Sequence, residues 1–372
     1  MEIIQLVHTL NYGDAISGEA CTLARLLTEA GVRNAIYSVH THEKLRGLSL
    51  DYRKLRSDLE GMREPVTLLL HYSIDSPLNR LFVEIEPARR VLLYHNLTPD
   101  HWYVGYNGRV VADLRKGRAE LPQLLARCDF VLADSEFNRS ELLEFGAKDV
   151  SVLPLPLDDE RWNVAPNSGI SRALQAHGGD NILHVGRLAP NKRIEDIIKA
   201  FYFYHHKMND RSRLWLVGID IDTEIYSFEL RRLIAELRLK DSVSMVGAVA
   251  DSELRAFYEN SDLYICMSEH EGFCLPLLEA MFFGVPVIAF DACAVADTLG
   301  DSGILVAKKN PALLAELISI VLQDSSAREE LARRGRERVK AFSLARFKAT
   351  FESELFERLQ GPSSGIIAAQ AH

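Results

Sequence analysis

The chain has 372 residues, enough for two domains of ordinary size, and its 47% hydrophobic and 26% charged residues match a soluble globular protein, excluding a largely disordered or fibrous one. Acidic residues outnumber basic ones 52 to 43, a formal net charge of -9, which argues against general nucleic-acid binding. No apolar run approaches the roughly 18 residues of a membrane span, and the first residues enter an apolar strand without a charged leader, so a cytoplasmic protein is expected.

In chain order, residues 2 to 8 predict a first strand, followed by the small-residue loop Asn11-Tyr12-Gly13-Asp14-Ala15-Ile16-Ser17-Gly18 and a helix from about Glu19 to Ala30. Further short apolar runs at Val66 to His71, Val91 to His95 and Phe130 to Asp134 predict strands separated by helical stretches. This alternation implies a mostly parallel sheet covered on both faces, an α/β architecture. After the run Val150 to Leu157, the polar stretch Asp158 to Gly169 carries a proline and a glycine, which places a domain boundary there.

A second alternating series has apolar runs at Asn181 to Val185, Leu214 to Val217, Ser242 to Val246, Leu263 to Met267, Val287 to Phe290 and Gly303 to Val306. Helical patterns follow from Pro311 to Gln323, Ala327 to Lys340 and Leu344 to Leu359, and the last, with no strand after it, is expected to cross back onto the first domain. The expected units are a first domain over 1–163, a second over 164–340, a returning helix over 341–360 and a loose tail over 361–372. Two such domains create a cleft at the C-terminal ends of their strands, where open α/β sheets bind ligands.

The stretch Ser268-Glu269-His270-Glu271-Gly272-Phe273-Cys274-Leu275-Pro276-Leu277-Leu278-Glu279 lies between two predicted strands. Pro276 suits the first turn of a helix, because its missing N–H has no helical partner there. The N–H groups of Phe273, Cys274 and Leu275 are then free at the helix N-terminus, and Gly272 admits close approach of a ligand, which suits a phosphate. Glu271 and Glu279 flank that place and can accept hydroxyl hydrogen bonds. Upstream, Gly186-Arg187 and Lys192 occupy a strand-to-helix loop where two cations can neutralise a diphosphate.

Together, Gly186-Arg187, Lys192, Gly218, Gly247, Glu271-Gly272-Phe273, Pro276, Glu279-Ala280-Met281 and Gly284-Val285-Pro286-Val287 resemble the nucleotide-sugar domain of retaining glycosyltransferases of family 4, the group 1 glycosyltransferases. The likeness is strongest from 181 to 306 and extends more weakly through Gly13, Tyr94-His95-Asn96 and Ala133-Asp134-Ser135-Glu136-Phe137. It implies the GT-B fold, two Rossmann-like domains facing a cleft. It implies retaining transfer of a hexose from a nucleoside diphosphate sugar, UDP-glucose first and GDP-mannose next, to a saccharide or lipid-linked saccharide, in polysaccharide or glycoconjugate synthesis.

In that likeness Glu271 approaches the donor sugar, Glu279 holds the ribose hydroxyls, Arg187 and Lys192 grip the diphosphate, and His95, at a strand end facing the cleft, contacts the sugar. Gly13 lets its loop approach the diphosphate; Asp14 beside it either orients sugar or acceptor or stabilises its own turn. His71, ending the neighbouring strand, ranks after His95. No metal and no cofactor is expected, because Arg187 and Lys192 take the place of a divalent ion. Asp220-Ile221-Asp222 matches a metal-binding aspartate pair of another glycosyltransferase fold, but is read as loop chemistry away from the diphosphate.

The five cysteines, Cys21, Cys128, Cys266, Cys274 and Cys293, are scattered with no pair at metal-ligand spacing, which fits a reduced compartment. Two basic groups, Lys44, Arg46, Arg53, Lys54 and Arg56, then Arg109, Arg115, Lys116 and Arg118, read as solvated faces. Their other reading is a peripheral contact with an anionic lipid at the inner face of the membrane. The rival functions are a nucleotide-sugar epimerase on the same fold and a non-catalytic partner subunit. Gly13 and Gly18 do not make the fingerprint of a nicotinamide dehydrogenase.

Overall fold

The computed structural model describes residues 2–60 and 66–360, so the tail expected over 361–372 lies outside the described residues. Short, mostly buried apolar runs become the central strands of two parallel sheets, as expected of strands covered on both faces. The first sheet holds β1 (Glu2–Leu10), β2 (Arg33–Thr41), β3 (Leu50–Asp51), β4 (Val66–Tyr72), β5 (Ala88–Tyr94), β6 (Phe130–Ala133) and β7 (Val150–Val152), in the order β3-β2-β1-β4-β5-β6-β7. The second holds β8 (Asn181–Val185), β9 (Arg213–Val217), β10 (Val243–Gly247), β11 (Leu263–Cys266), β12 (Val287–Phe290) and β13 (Ile304–Val306), in the order β10-β9-β8-β11-β12-β13.

In both sheets the strand order reverses once, between β1 and β4 and between β8 and β11. The loops leaving such a pair diverge to opposite faces and open a crevice at the strand ends. In the second sheet these are the loops carrying Arg187 and Lys192 and carrying Glu271. In the first they are the Gly13-Asp14 loop and the end of the strand bearing His71.

β2 and β3 were not expected from the sequence. β2 reads Arg-Asn-Ala-Ile-Tyr-Ser-Val-His-Thr, is buried only at its middle, and lacks the continuous apolar run of its neighbours. The run expected over Val150 to Leu157 pairs only over its first three residues; Leu153, Leu155 and Leu157 continue as buried extended chain toward the second domain.

The chain crosses between the domains twice. Leu157 N donates to Phe342 O at 2.8 Å, which ties the outgoing and returning crossings together. The helix Leu344–Phe351 and the turns after it then place Phe347, Phe351, Leu355 and Leu359 in a core with Ile3, Leu23, Leu27, Leu69 and Leu93 of the first domain. The C-terminal segment therefore packs on the first domain, as its unpartnered apolar pattern predicts.

Candidate active site

Loop geometry brings the two charged halves of the second domain's crevice together. After β8 the chain runs through Gly186 to a short 3-10 turn, Pro190–Lys192, and Arg193 in left-handed backbone starts the helix Ile194–Lys207. Asn191 staples this loop to the other one: its O accepts from Glu269 N at 2.9 Å and its Nδ2 donates to His270 O at 3.0 Å. Lys192 Nζ consequently reaches Glu271 Oε2 at 2.7 Å. Burial opposes the Lys192 charge, yet the Glu271 carboxylate outweighs it and raises the ammonium above its ordinary value. Glu271 is likewise penalised by burial and held below the carboxylate range by Lys192. The two form an ion pair at the floor of the crevice.

Arg187 approaches from the side. Its Nη2 donates to Ile221 O at 2.5 Å and lies 3.9 Å from Asp222 Oδ2, while its Nε is buried without a partner. The aspartate loop is thus beside the guanidinium and not away from it, a correction to the sequence reading. Asp222 also takes Arg109 of the first domain at 2.8 Å and acts as an anion between two arginines. Gly218 lets this loop pack: a Cβ there would meet Gly186 O at 1.8 Å. Gly247, at φ +81°, supplies its O to Gly218 N at 3.0 Å.

Cys274, in left-handed backbone at φ 74°, caps the helix Leu275–Phe282, with Pro276 in its first turn as the sequence predicts. Among the described residues the N–H groups of Phe273, Cys274 and Leu275 have no protein acceptor, so the helix start keeps its capacity for an anion. Phe273 itself points into the core against Phe342. Glu279, on this helix, is buried and engaged at both oxygens: Oε1 by Arg161 Nη1 at 2.9 Å, Oε2 by Tyr258 Oη at 2.7 Å. Arg161 also binds Asp251 at 2.8 Å, and Asp251 accepts from Tyr12 of the first domain at 2.6 Å. The carboxylate keeps spare lone pairs for ribose hydroxyls but is first of all part of this interdomain chain.

Gly272 has a role besides the one its sequence suggests. A Cβ there would lie 2.7 Å from Asn96 Cβ and 3.0 Å from His95 O. The residue is small so that the first domain, and not only a ligand, approaches the loop. Around it, Ser135 Oγ donates to Gly272 O at 2.7 Å and His270 Nε2 pairs with Asn96 Oδ1 at 2.5 Å.

His95 does not face the cleft. Its side chain is 1% exposed, with Nδ1 on Asp134 at 3.0 Å and Nε2 on His71 at 2.9 Å. The expectation fails because the residue lies one position beyond β5, where the ring turns under the sheet end toward β4. Only its backbone reaches the Gly272 loop. Gly13, at φ +79°, and Asp14 are exposed; Asp14 caps the helix Ala15–Glu29 by accepting from Ser17 N at 3.0 Å. Of its two readings the structure displays the turn-stabilising one.

The cysteines are not all scattered. Cys266 and Cys274 bring their sulfurs to 4.0 Å on either side of the Glu271 loop, because β11 and the helix start adjoin. Arg161, Tyr258, Gln5 and Glu19 are not singled out by the sequence, and Asn96 enters there only through the family likeness. Each acts on a residue far along the chain, such as Arg161 on Glu279 at a separation of 118, and no local spacing signals that. Several members of the basic groups are paired with acids: Arg53 with Asp51, Arg56 with Glu84, Arg115 with Asp100, Lys116 with Asp75 and Arg118 with Glu141. No helix of the described residues is long and apolar enough to cross a membrane.

The family model "Glycosyl transferases group 1" matches residues 170–338. The chain is 25% identical over 229 residues to O-antigen chain mannosyltransferase B of Escherichia coli, covering 60% of this chain and 59% of that one. It is 29% identical over 169 residues to mannosylfructose-phosphate synthase of Agrobacterium fabrum, covering 43% and 37%. The matches thus span about four to six tenths of these relatives. In structure it is similar to Anabaena HepE in complex with UDP-glucose, with TM-score 0.76, 17% identity and coverage of 96% and 99%. It is similar also to WaaG, a glycosyltransferase of lipopolysaccharide biosynthesis, with TM-score 0.73, 13% identity and coverage of 95% and 99%. Residues 170–338 thus match the group 1 glycosyltransferases, and the chain as a whole has the GT-B fold of the solved structures it resembles.

Proposed function

We propose that the protein is a retaining glycosyltransferase of family 4 that moves a hexose from a nucleoside diphosphate sugar to a saccharide or lipid-linked saccharide acceptor. The observation that carries the reading is the Lys192–Glu271 pair at 2.7 Å, on two loops that leave the adjacent strands β8 and β11 and also carry Arg187 and the free N–H groups of a helix start. Lys192 has three N–H donors, so it can keep Glu271 and still bind a phosphate oxygen. Arg187 and Lys192 then stabilise the diphosphate as charge develops on it, which makes a divalent ion unnecessary. Glu279 takes ribose hydroxyls on its spare lone pairs. Glu271, pinned by Lys192 as a carboxylate, accepts from donor-sugar hydroxyls.

Glu271 is committed to an ion pair and is therefore a poor nucleophile. The acceptor hydroxyl attacks from the face the diphosphate leaves, and its proton passes to the departing phosphate oxygen. UDP-glucose and GDP-mannose remain the two donors to test; several relatives are named mannosyltransferases, and HepE was solved with UDP-glucose. A thermal-shift panel of UDP- and GDP-sugars separates them, since a ligand bound only by the native state raises the midpoint. No shift with any nucleotide sugar overturns the reading. Mass analysis of products excludes the epimerase alternative when a glycosylated acceptor, and not an altered nucleotide sugar, accumulates.

A further inference from the structure

Beneath the Gly13-Asp14 loop lies a buried chain of polar side chains that the proposed reaction does not use: Gln5 on β1, His71 on β4, His95 after β5, Asp134 after β6 and Glu19 on the first helix. Its protons can be placed from one fixed end. The Ala20 carbonyl only accepts, so Gln5 directs Nε2 to it at 3.0 Å and Oε1 to His71 Nε2 at 2.8 Å. His71 Nε2 therefore carries a proton. Burial keeps His71 neutral, well below the usual histidine range, so its Nδ1 is bare and accepts. His95 Nε2, 2.9 Å away, must then donate, and His95 Nδ1 donates to the Asp134 carboxylate at 3.0 Å. Burial raises the Asp134 carboxyl and His95 lowers it; with that carboxyl ionised, both nitrogens of His95 carry protons.

A shared metal ion is the competing arrangement, because donor atoms of Glu19, His71 and His95 lie within 4.8 Å of one another. The ring geometry favours the proton. The His71 and His95 rings lie 6° from parallel with centroids 5.2 Å apart and nitrogens 2.9 Å apart, so the two nitrogens point straight at each other along one line. Lone pairs that share an ion converge on it at about 2.0–2.1 Å from different directions.

The imidazolium–carboxylate pair joins two strand ends that together receive the second domain. Asn96, next to His95, meets His270; Ser135, next to Asp134, holds Gly272 O. We propose that Gln5 and His71 are positioning residues which, by the polarity of their hydrogen bonds, hold His95 as an imidazolium, so that the His95–Asp134 pair keeps these two turns at the spacing that seats the Glu271-Gly272 loop. Besides Asp134, the acidic groups facing His95 are Glu19 at 3.6 Å and Asp14. Asp14 favours the cation; Glu19 does so only when ionised, because burial holds its carboxyl well above the ordinary range. That seating matters for catalysis rests on the donor-site reading above; the proton arrangement does not.

The test needs no substrate. Ring-nitrogen NMR of histidine-labelled protein, with His95 assigned by its loss in His95→Gln, is followed from pH 6 to 10, alongside hydrogen exchange of segment 268–274 at pH 7.5. His95 is expected to stay an imidazolium through neutrality. In Gln5→Met, which removes the acceptor for His71, its titration moves at least one pH unit lower and the loop exchanges at least tenfold faster. Gln5→Glu, which keeps an acceptor, is expected to titrate no lower than the wild type and to retain the slow exchange. A neutral His95 at pH 7, an unchanged titration or exchange in Gln5→Met, or stoichiometric zinc in the purified protein overturns the proposal. If these measurements come out as expected while no nucleotide sugar binds, the donor-site reading fails and the proton arrangement stands.

Discussion

Arg187 and Lys192 are unequal tests of the same site. Arg187 is about a third exposed and bonds only one carbonyl, so Arg187→Ala is expected to leave the fold intact while lowering kcat/KM by ~100-fold or more, the usual loss when one donor to a developing anion is removed. Sugar-transfer kinetics with a melting curve check this; near-normal turnover sinks the diphosphate assignment. Lys192→Ala removes the partner of a buried carboxylate and is expected to destabilise as well as inactivate, because Glu271 is left unpaired. Gly272 was read in the sequence as room for a ligand. The structure makes it room also for Asn96 Cβ and the His95 carbonyl, so Gly272→Ala is expected to cost about 1–3 kcal/mol through overpacking. The urea midpoint of the two-domain unfolding transition measures that cost.

At the scale of elements, the site is a pair of loops leaving β8 and β11, stapled by Asn191, and a facing pair of turns after β5 and β6. The facing turns carry a pH signature. His95 is penalised by burial, but Asp134, with Glu19 and Asp14, raises its pKa from 6.5 to about 9. A group whose folded pKa lies above its unfolded value contributes stability that is full below pH 6.5 and is lost as pH rises through about 9. Glu19, pushed well above the carboxylate range by burial, acts in the same direction, whereas His71, lowered by burial, removes stability only as pH falls below 6.5. The denaturation midpoint is therefore expected to fall between pH 7 and 9.5 in the wild type and to fall less in His95→Gln. A flat wild-type profile over that range contradicts the imidazolium.

Across the whole molecule the two domains are joined by paired crossings and by the C-terminal segment lying on the first domain. Phe351 is 1% exposed in that contact, so Phe351→Ala is expected to cost about 3–5 kcal/mol. Calorimetry then shows the transition of the first domain lowered more than that of the second; an effect confined to the second domain refutes the docking. Most of this architecture is legible in the sequence. β8, β12 and the helix Pro311–Gln323 start and end where the apolar pattern does, because buried parallel strands and amphipathic helices are written in local periodicity. β2 is less apolar and escaped for that reason.

The candidate site divides in the same way. Glu271, Glu279, Arg187 and Lys192 were legible as residue types set at strand ends and a helix start, since Pro276 and the glycines act through the local backbone. Their partners were not. Arg161 on Glu279, Asn96 on His270, Asp222 between Arg109 and Arg187, and the proton on each nitrogen of His95 depend on contacts between segments tens to more than a hundred residues apart. The sequence by itself determined the two α/β units and the chemical inventory of the crevice, because hydrophobic periodicity and turn chemistry are local. Only the tertiary structure decided which charge meets which, and hence that His95 is buried and Gly272 is a domain contact, because ion pairing and burial are set by distance in space.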